Sequence, residues 1–154
     1  VLELGEGELK RAARRGGWPS LFILDLDHFK AVNDGWGHAA GDAVLCRLAE
    51  TLNHELREMD IFARFGGEEF VALLPETRLK EALQVAERVR AAVAAHPVVF
   101  EDQAIPVTAS IGVAFGKPGE GLDELVARAD LALYQAKERG RNRVCADEDE
   151  SVPA

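Results

Sequence analysis

The stretch that most constrains this chain runs from Ile61 to Leu74. There two apolar and aromatic runs, Ile61 to Phe65 and Phe70 to Leu74, are separated only by Gly66-Gly67-Glu68-Glu69. The runs are strand-sized and the glycines supply a tight turn, so the spacing predicts a β-hairpin with carboxylates at its tip. Leu21 to Leu26 is another continuous apolar run, too short for anything but a buried strand, and it too ends in acid, at Asp25 and Asp27.

The remaining pattern supplies helices. A short helix fits Leu9 to Arg15, closed by Gly16 and Gly17. Asn33 to Gly41 reads as a glycine-rich turn. After it Val44, Leu45, Leu48, Ala49, Leu52 and Leu56 recur at helical spacing, which predicts a helix from Asp42 onward with one buried face and Asp42 near its start. A long amphipathic helix is predicted over Leu79 to Ala95, stopped by Pro97. Val98 to Phe100 and Val107 to Phe115 read as a further pair of strands. Leu122 to Arg139 forms the last helix, with Asp123 as cap and Gly140 as stop, and Val144 to Ala146 adds an edge strand. No internal repeat is present. The expected class is α+β: a central sheet of about five mostly antiparallel strands flanked by helices.

A chain of 154 residues, 47% of them hydrophobic, suits one domain with a substantial core. Residues 1–8 read as a remnant or linker, 9–146 as the domain, and 147–154 as an acidic tail expected to be disordered. Eighteen basic residues against 27 acidic ones give a formal net charge of -9, which excludes a nucleic-acid-binding surface as the main function. A small nucleotide held with a metal remains compatible. No apolar run approaches the roughly 20 residues of a membrane span, and the N-terminus lacks the order of a signal peptide, so a cytoplasmic location is expected. Cys46 and Cys145 are too few and too scattered for a disulfide framework or a zinc site, and Cys46 falls in an apolar helical pattern that predicts a buried thiol.

If the Leu21 to Leu26 strand lies beside the hairpin, Asp25 meets Glu68 and Glu69 at one sheet edge. Like charges that close need a cation, and hard oxygen ligands suit magnesium, which keeps waters and phosphate oxygens in its other positions. The plainer account is that strand-end acids are simply solvated. Yet Asp25, Asp27 and Lys30 share one tight turn, which a bare turn rarely needs. Lys137 and Arg141 stand four apart and would share a helical face if the helix persisted through Gly140; they either reach a phosphate or complement a helix C-terminus. Asn33 and Asp42 together offer an amide and a carboxylate able to read guanine, or serve separately as turn residue and helix cap.

These residues also spell a family pattern. Gly66-Gly67-Glu68-Glu69-Phe70 resembles the GGEEF form of the GGDEF signature, and Asp25-Leu26-Asp27-His28-Phe29-Lys30-Ala31-Val32-Asn33-Asp34 resembles that family's strand-and-turn motif. Gly37 to Asp42, Ala109 to Ala114, and Ala129-Asp130 through Lys137 to Asn142 continue the match in order, from about Ala13 to Val144. The resemblance to diguanylate cyclases implies a palm-like fold related to nucleotide cyclases, and condensation of two GTP molecules into cyclic di-GMP by a homodimer of half-sites. It implies magnesium, with manganese as the alternative ion, held by Asp25, the Leu26 carbonyl and Glu68, with Glu69 assisting at the metal or the reacting hydroxyl. It further implies phosphate binding by the amides at His28 and Phe29 with Lys30, Lys137 and Arg141, and guanine recognition by Asn33 and Asp42.

Arg57-Glu58-Met59-Asp60 is similar to the family's RxxD product-inhibition site, with Arg88 on the following helix as an auxiliary contact for cyclic di-GMP. One departure stands out: the family's usual opening, an aspartate, a Leu-Thr turn and an Asn-Arg-Arg run, is absent from Val1 to Lys10. Either the pocket has lost a wall or a regulatory, sensory region precedes this segment. The rival readings are a cyclic di-GMP receptor without turnover, a GTP-sensing module of a larger phosphodiesterase, and a structural interaction domain, which leaves the clustered acids unexplained.

Overall fold

The structure, a computed structural model, describes the backbone of Leu2–Glu3 and residues 19–147. The helix expected over Leu9 to Arg15 and all but the first residue of the acidic tail lie outside the described residues. The elements in order are β1 (Leu2–Glu3), β2 (Ser20–Leu26), α1 (Phe29–Trp36), α2 (His38–Glu55), β3 (Ile61–Phe65), β4 (Glu69–Leu74), α3 (Leu79–Ala95), β5 (Val98–Phe100), β6 (Gln103–Ile105), β7 (Ala109–Phe115), α4 (Leu122–Glu138) and β8 (Val144–Ala146).

Six strands form one sheet in the order β1-β3-β4-β2-β7-β8. Its middle is antiparallel, β3 to β4, β4 to β2 and β2 to β7, and its two edges are added in parallel. The expected α+β palm-like arrangement is therefore what the chain adopts. β2 lies at the centre with helices on both faces, and that is why its sequence is continuously apolar rather than alternating. Phe22, Leu24 and Leu26 face a core shared with α1, α2 and α3, while Leu21 and Ile23 face Leu125, Ala129 and Leu133 of α4. Each such side chain, fully removed from water, contributes about 1.5–3 kcal/mol.

The approach of α4 depends on one residue. A Cβ on Gly112 of β7 would stand 2.1 Å from the Leu133 nitrogen and 2.2 Å from the Ala129 oxygen, so only glycine lets the helix backbone lie directly on the strand. Lys137 sits one turn beyond Leu133 and is carried to the end of β2.

Four local expectations need correction. Asn33 to Gly41 is not a turn: α1 runs through Gly35, α2 begins at His38, and only Gly37, at φ +93°, breaks the path. Burial of Phe29, Val32 and Ala40 outweighs the cost of about 1 kcal/mol for each helical glycine, and Asp42 consequently lies in the second turn of α2. β5 pairs with β6 rather than with β7, through a turn at Glu101 and Asp102 whose positive φ values of 49° and 64° are those of a tight hairpin turn, a conformation their letters do not announce. The cap of α4 is Gly121, with Asp123 in the first turn, and the helix closes at Glu138. Cys46 is exposed, since the buried arc of α2 runs through Val44, Leu45, Leu48 and Leu52; the buried thiol is Cys145. Among the described residues, no helix is long and apolar enough to cross a membrane.

Candidate functional site

The end of β2, the tip of the β3–β4 hairpin and the last turn of α4 meet at one sheet edge. Asp25 is the register partner of Glu69, and the Leu26 N–H donates to the Glu68 carbonyl at 3.4 Å. Arg64 steadies the turn, its Nη2 donating to the Gly67 carbonyl at 2.6 Å. From the other side Lys137 Nζ donates to Asp25 Oδ2. Asp25 is only 6% exposed, and its second oxygen, Oδ1, is buried without a hydrogen-bond partner. A buried carboxylate oxygen left unpaired is uncommon enough to ask what it serves.

The neighbouring acids register the crowding. Burial, then the charge of Asp25, pushes the Glu68 carboxyl above its ordinary range, while Lys137 pulls it back. Glu69 is pushed up by burial first, then by Asp130 and Asp25. Each carboxylate is thus held where its negative charge is disfavoured, and an added cation would relieve all of them. Among the described residues, no three His, Cys, Asp or Glu side chains already form a metal cage. Asp25 Oδ1, with Glu68 and the strand-end carbonyl of Leu26 as neighbours in the chain and the hairpin, could supply part of an all-oxygen set of the kind a hard ion completes with waters and substrate oxygens.

His28 precedes α1 in the left-handed region, at φ 56° and ψ 34°, with no side-chain cap. The first-turn amides that follow it, at Phe29 and Lys30, therefore have no intrahelical acceptor and lie just past Asp25 and Leu26 in the chain. Phe29 is buried and anchors the turn, whereas His28 and Lys30 are exposed. Asn33 lies against α2: a Cβ on Gly41 would stand 1.9 Å from Asn33 Oδ1, so its carboxamide packs on the residue before Asp42, whose own side chain is exposed. Lys137 and Arg141 do not share a helical face as the spacing suggested. Gly140, at φ 124°, and Arg141, at φ 64°, turn the chain away after Glu138, and the Arg141 N–H donates to the Ala136 carbonyl at 2.9 Å.

Arg57, Asp60 and Arg88 lie at the opposite end of the hairpin, a strand's length of roughly 17 Å from its tip. Arg57 grips Asp60 with two side-chain bonds, of 3.1 and 2.9 Å, and donates its backbone N–H to the same carboxylate at 2.8 Å. Its Nη2 also donates to Thr77 Oγ1. Asp60 is fully buried and Arg57 is 41% exposed at its side chain, so this pair is a fold clamp with one cationic face in solvent. Arg88 donates to the Glu55 carbonyl at 3.0 Å.

Two acids gain importance beyond the sequence reading. Asp130 bears on Glu69, which nothing in its helical spacing signalled. Asp27, grouped with Asp25 by spacing, is buried and bound to protein donors, Ser110 Oγ at 2.6 Å and Thr108 Oγ1 at 2.7 Å, and so stands apart from the edge cluster.

Comparison with known proteins agrees with this geometry. Residues 3–143 match the family described as diguanylate cyclase, GGDEF domain. Diguanylate cyclase DgcP of Pseudomonas aeruginosa is 48% identical over 139 residues, covering 90% of this chain and 21% of DgcP. Diguanylate cyclase DgcM of Escherichia coli is 50% identical over 128 residues, covering 82% of this chain and 30% of DgcM. The chain therefore spans about a fifth to a third of the length of these curated relatives. The GGDEF domain of DgcB from Caulobacter crescentus, solved in complex with c-di-GMP, superposes with a TM-score of 0.87 at 36% identity, covering 94% of this chain and 86% of that one. With a family match over residues 3–143, and relatives near half identical over four fifths or more of the chain, the chain belongs to the GGDEF family of diguanylate cyclase domains.

Proposed function

We propose that this chain joins two molecules of GTP into cyclic di-GMP and releases two molecules of pyrophosphate. The observation that carries the reading is the buried, unpaired Asp25 Oδ1 beside Glu68, with Lys137 on the other carboxylate oxygen. A phosphoryl-transfer site needs positive charge where the leaving group departs and an acceptor for the hydroxyl proton. Here acids are crowded for a cation, and basic groups stand around them.

Each 3′-hydroxyl attacks the α-phosphate of the other nucleotide, the new P–O bond replacing the bond to pyrophosphate. Asp25, the Leu26 carbonyl and Glu68 would hold magnesium or manganese, which when bound supplies charge against the reacting phosphate. Glu69, whose carboxyl is pushed up in proton affinity, is suited to accept a hydrogen bond from the attacking hydroxyl. The amides after His28, with Lys30, Lys137 and Arg141, hold the phosphates. Lys137, which donates to Asp25, would also stand within reach of phosphates bound at that edge. Asn33 and Asp42 read guanine. Because one site holds one nucleotide, two copies of the chain face each other to complete the reaction. The outward side of Arg57, with Arg88, offers cations to the product, making that end of the hairpin an inhibitory site. An upstream sensory region and a cytoplasmic setting fit the same reading.

Incubation with GTP and magnesium, followed by mass analysis at several protein concentrations, tests it. Cyclic di-GMP forming with a steep concentration dependence, and lost on Asp25→Ala, is the expected result. Turnover that survives Asp25→Ala refutes the metal assignment, and GTP bound without product refutes the cyclase reading.

A further inference from the structure

Asp27 has none of the surroundings of the acids at the sheet edge. It is 5% exposed, and three donors from distant parts of the chain converge on it. Ser110 Oγ donates to Oδ1 at 2.6 Å, Thr108 Oγ1 to Oδ2 at 2.7 Å, and the backbone N–H of Asn142 to Oδ2 at 3.0 Å. The Asp27 N–H itself donates to the Thr108 carbonyl at 2.9 Å. A carboxylate suits this position because it accepts only; an asparagine would turn an NH2 toward one of these donors.

The third donor belongs to an uncommon piece of backbone. Arg141 and Asn142 are consecutive non-glycine residues in the left-handed region, at φ 64° and 47°. Such residues cost of order 1 kcal/mol or more each and persist where their surroundings over-determine them. Here the second grip comes from α3. Arg90 Nη1 donates to Asn142 Oδ1 at 2.8 Å, while its Nε and Nη2 are fixed on Glu87 at 3.0 and 2.6 Å. Asn142 is thus held by its N–H from the sheet and by its side chain from a helix. Arg141, one residue before it, is tied through its backbone, to Ala136 and to Arg143 Nε.

Resting on the reading of Arg141 as a phosphate ligand, we propose that Asp27 and Arg90 are positioning residues for it. Together they fix the left-handed turn that carries Arg141 just past the end of α4. Neither touches substrate. They remove from the binding step the ordering cost of a loop that would otherwise choose among conformations, which is how a preorganised group gains affinity without a new contact.

The test measures GTP affinity with magnesium by calorimetry for the wild type, Arg90→Met, Asn142→Asp, Arg141→Ala and the double variant Arg90→Met/Arg141→Ala. Arg90 is partly buried but belongs to neither core cluster, so its replacement by methionine disturbs the fold less than Asp27→Asn. Losing one positioning hydrogen bond is expected to weaken GTP by about three- to tenfold in Arg90→Met. Asn142→Asp, which keeps the acceptor and tolerates the left-handed backbone, should stay within about twofold of wild type. The double variant should bind no more weakly than Arg141→Ala alone, because positioning a missing side chain has no effect. Additive losses, or an Arg90→Met affinity equal to wild type, overturn the positioning role while leaving the cyclase reading intact. An Arg141→Ala variant of undiminished affinity overturns the phosphate role of Arg141, and the positioning proposal with it.

Discussion

Replacing Lys137 with methionine separates its role as an internal counter-ion from its proposed role toward phosphate. Methionine keeps most of the aliphatic stem that packs along α4 and deletes the ammonium. That ammonium bonds to Asp25, whose side chain is 9% exposed against 33% for the lysine. A charge-assisted hydrogen bond in such partial burial is worth about 1.5–3 kcal/mol. Its loss leaves both Asp25 oxygens short of partners and removes the cation that lowers the Glu68 and Glu69 carboxyls. For a domain of this size each kcal/mol moves the melting midpoint by roughly 3–4 °C, so Lys137→Met should melt about 5–12 °C below wild type in EDTA. Magnesium should restore much of that difference. A ligand stabilises in proportion to its affinity for the folded form, and in the variant the metal no longer competes with the lysine for Asp25. Circular-dichroism melts with EDTA and with millimolar magnesium measure both quantities. An equal deficit in the two buffers would mean that the ion does not take over the lysine's position, and a deficit below about 2 °C in EDTA would mean the bond contributes little.

Arg57→Ala should destabilise the domain by about 2–4 kcal/mol in urea titration, somewhat less than for a fully buried pair because the arginine is partly exposed; unchanged stability would show that Asp60 finds other partners. Product binding by Arg57 variants must therefore be read at temperatures where they remain folded. Gly112→Ala should cost about 3 kcal/mol or more, since its methyl group would meet the α4 backbone at 2.1 Å; a melting point within a few degrees of wild type would refute the close packing of helix on strand.

Much of the fold was legible because its periodicities are clean. The hairpin, β2, α3 and α4 appear near their expected bounds, since each buries a continuous run or stripe whose spacing is set by strand or helix geometry. The segment from residue 33 to 41 was misread because its glycines looked like turn formers. Their real setting, with Gly41 against the Asn33 side chain, is a packing fact that local propensity does not contain. The meeting of Asp25 with Glu68 followed from two strand ends and one assumption of adjacency, and family resemblance supplied the assumption. The distinct settings of Asp25 and Asp27 were not legible. One stands at the end of the strand and the other opens the turn just past it, and only the residues around β7 and the turn after α4 decide that Asp27 is fully bonded while Asp25 keeps an open oxygen.

On the proposed function, that division reconciles a net charge of -9 with a polyanionic substrate. At the sheet edge Asp25, Glu68, Glu69 and Asp130 influence one another, and Lys137 is the cation interleaved with them. Four carboxylates against one ammonium repel a bare triphosphate. Two unit charges 4 Å apart interact by about 4 kcal/mol at the effective dielectric of a protein surface. A divalent ion held there would satisfy the crowded acids and the phosphates together, and Lys137, Lys30 and Arg141 are the basic groups proposed for the phosphates. On the proposed function, the site is electrostatically complementary to the metal–nucleotide complex and to neither component alone.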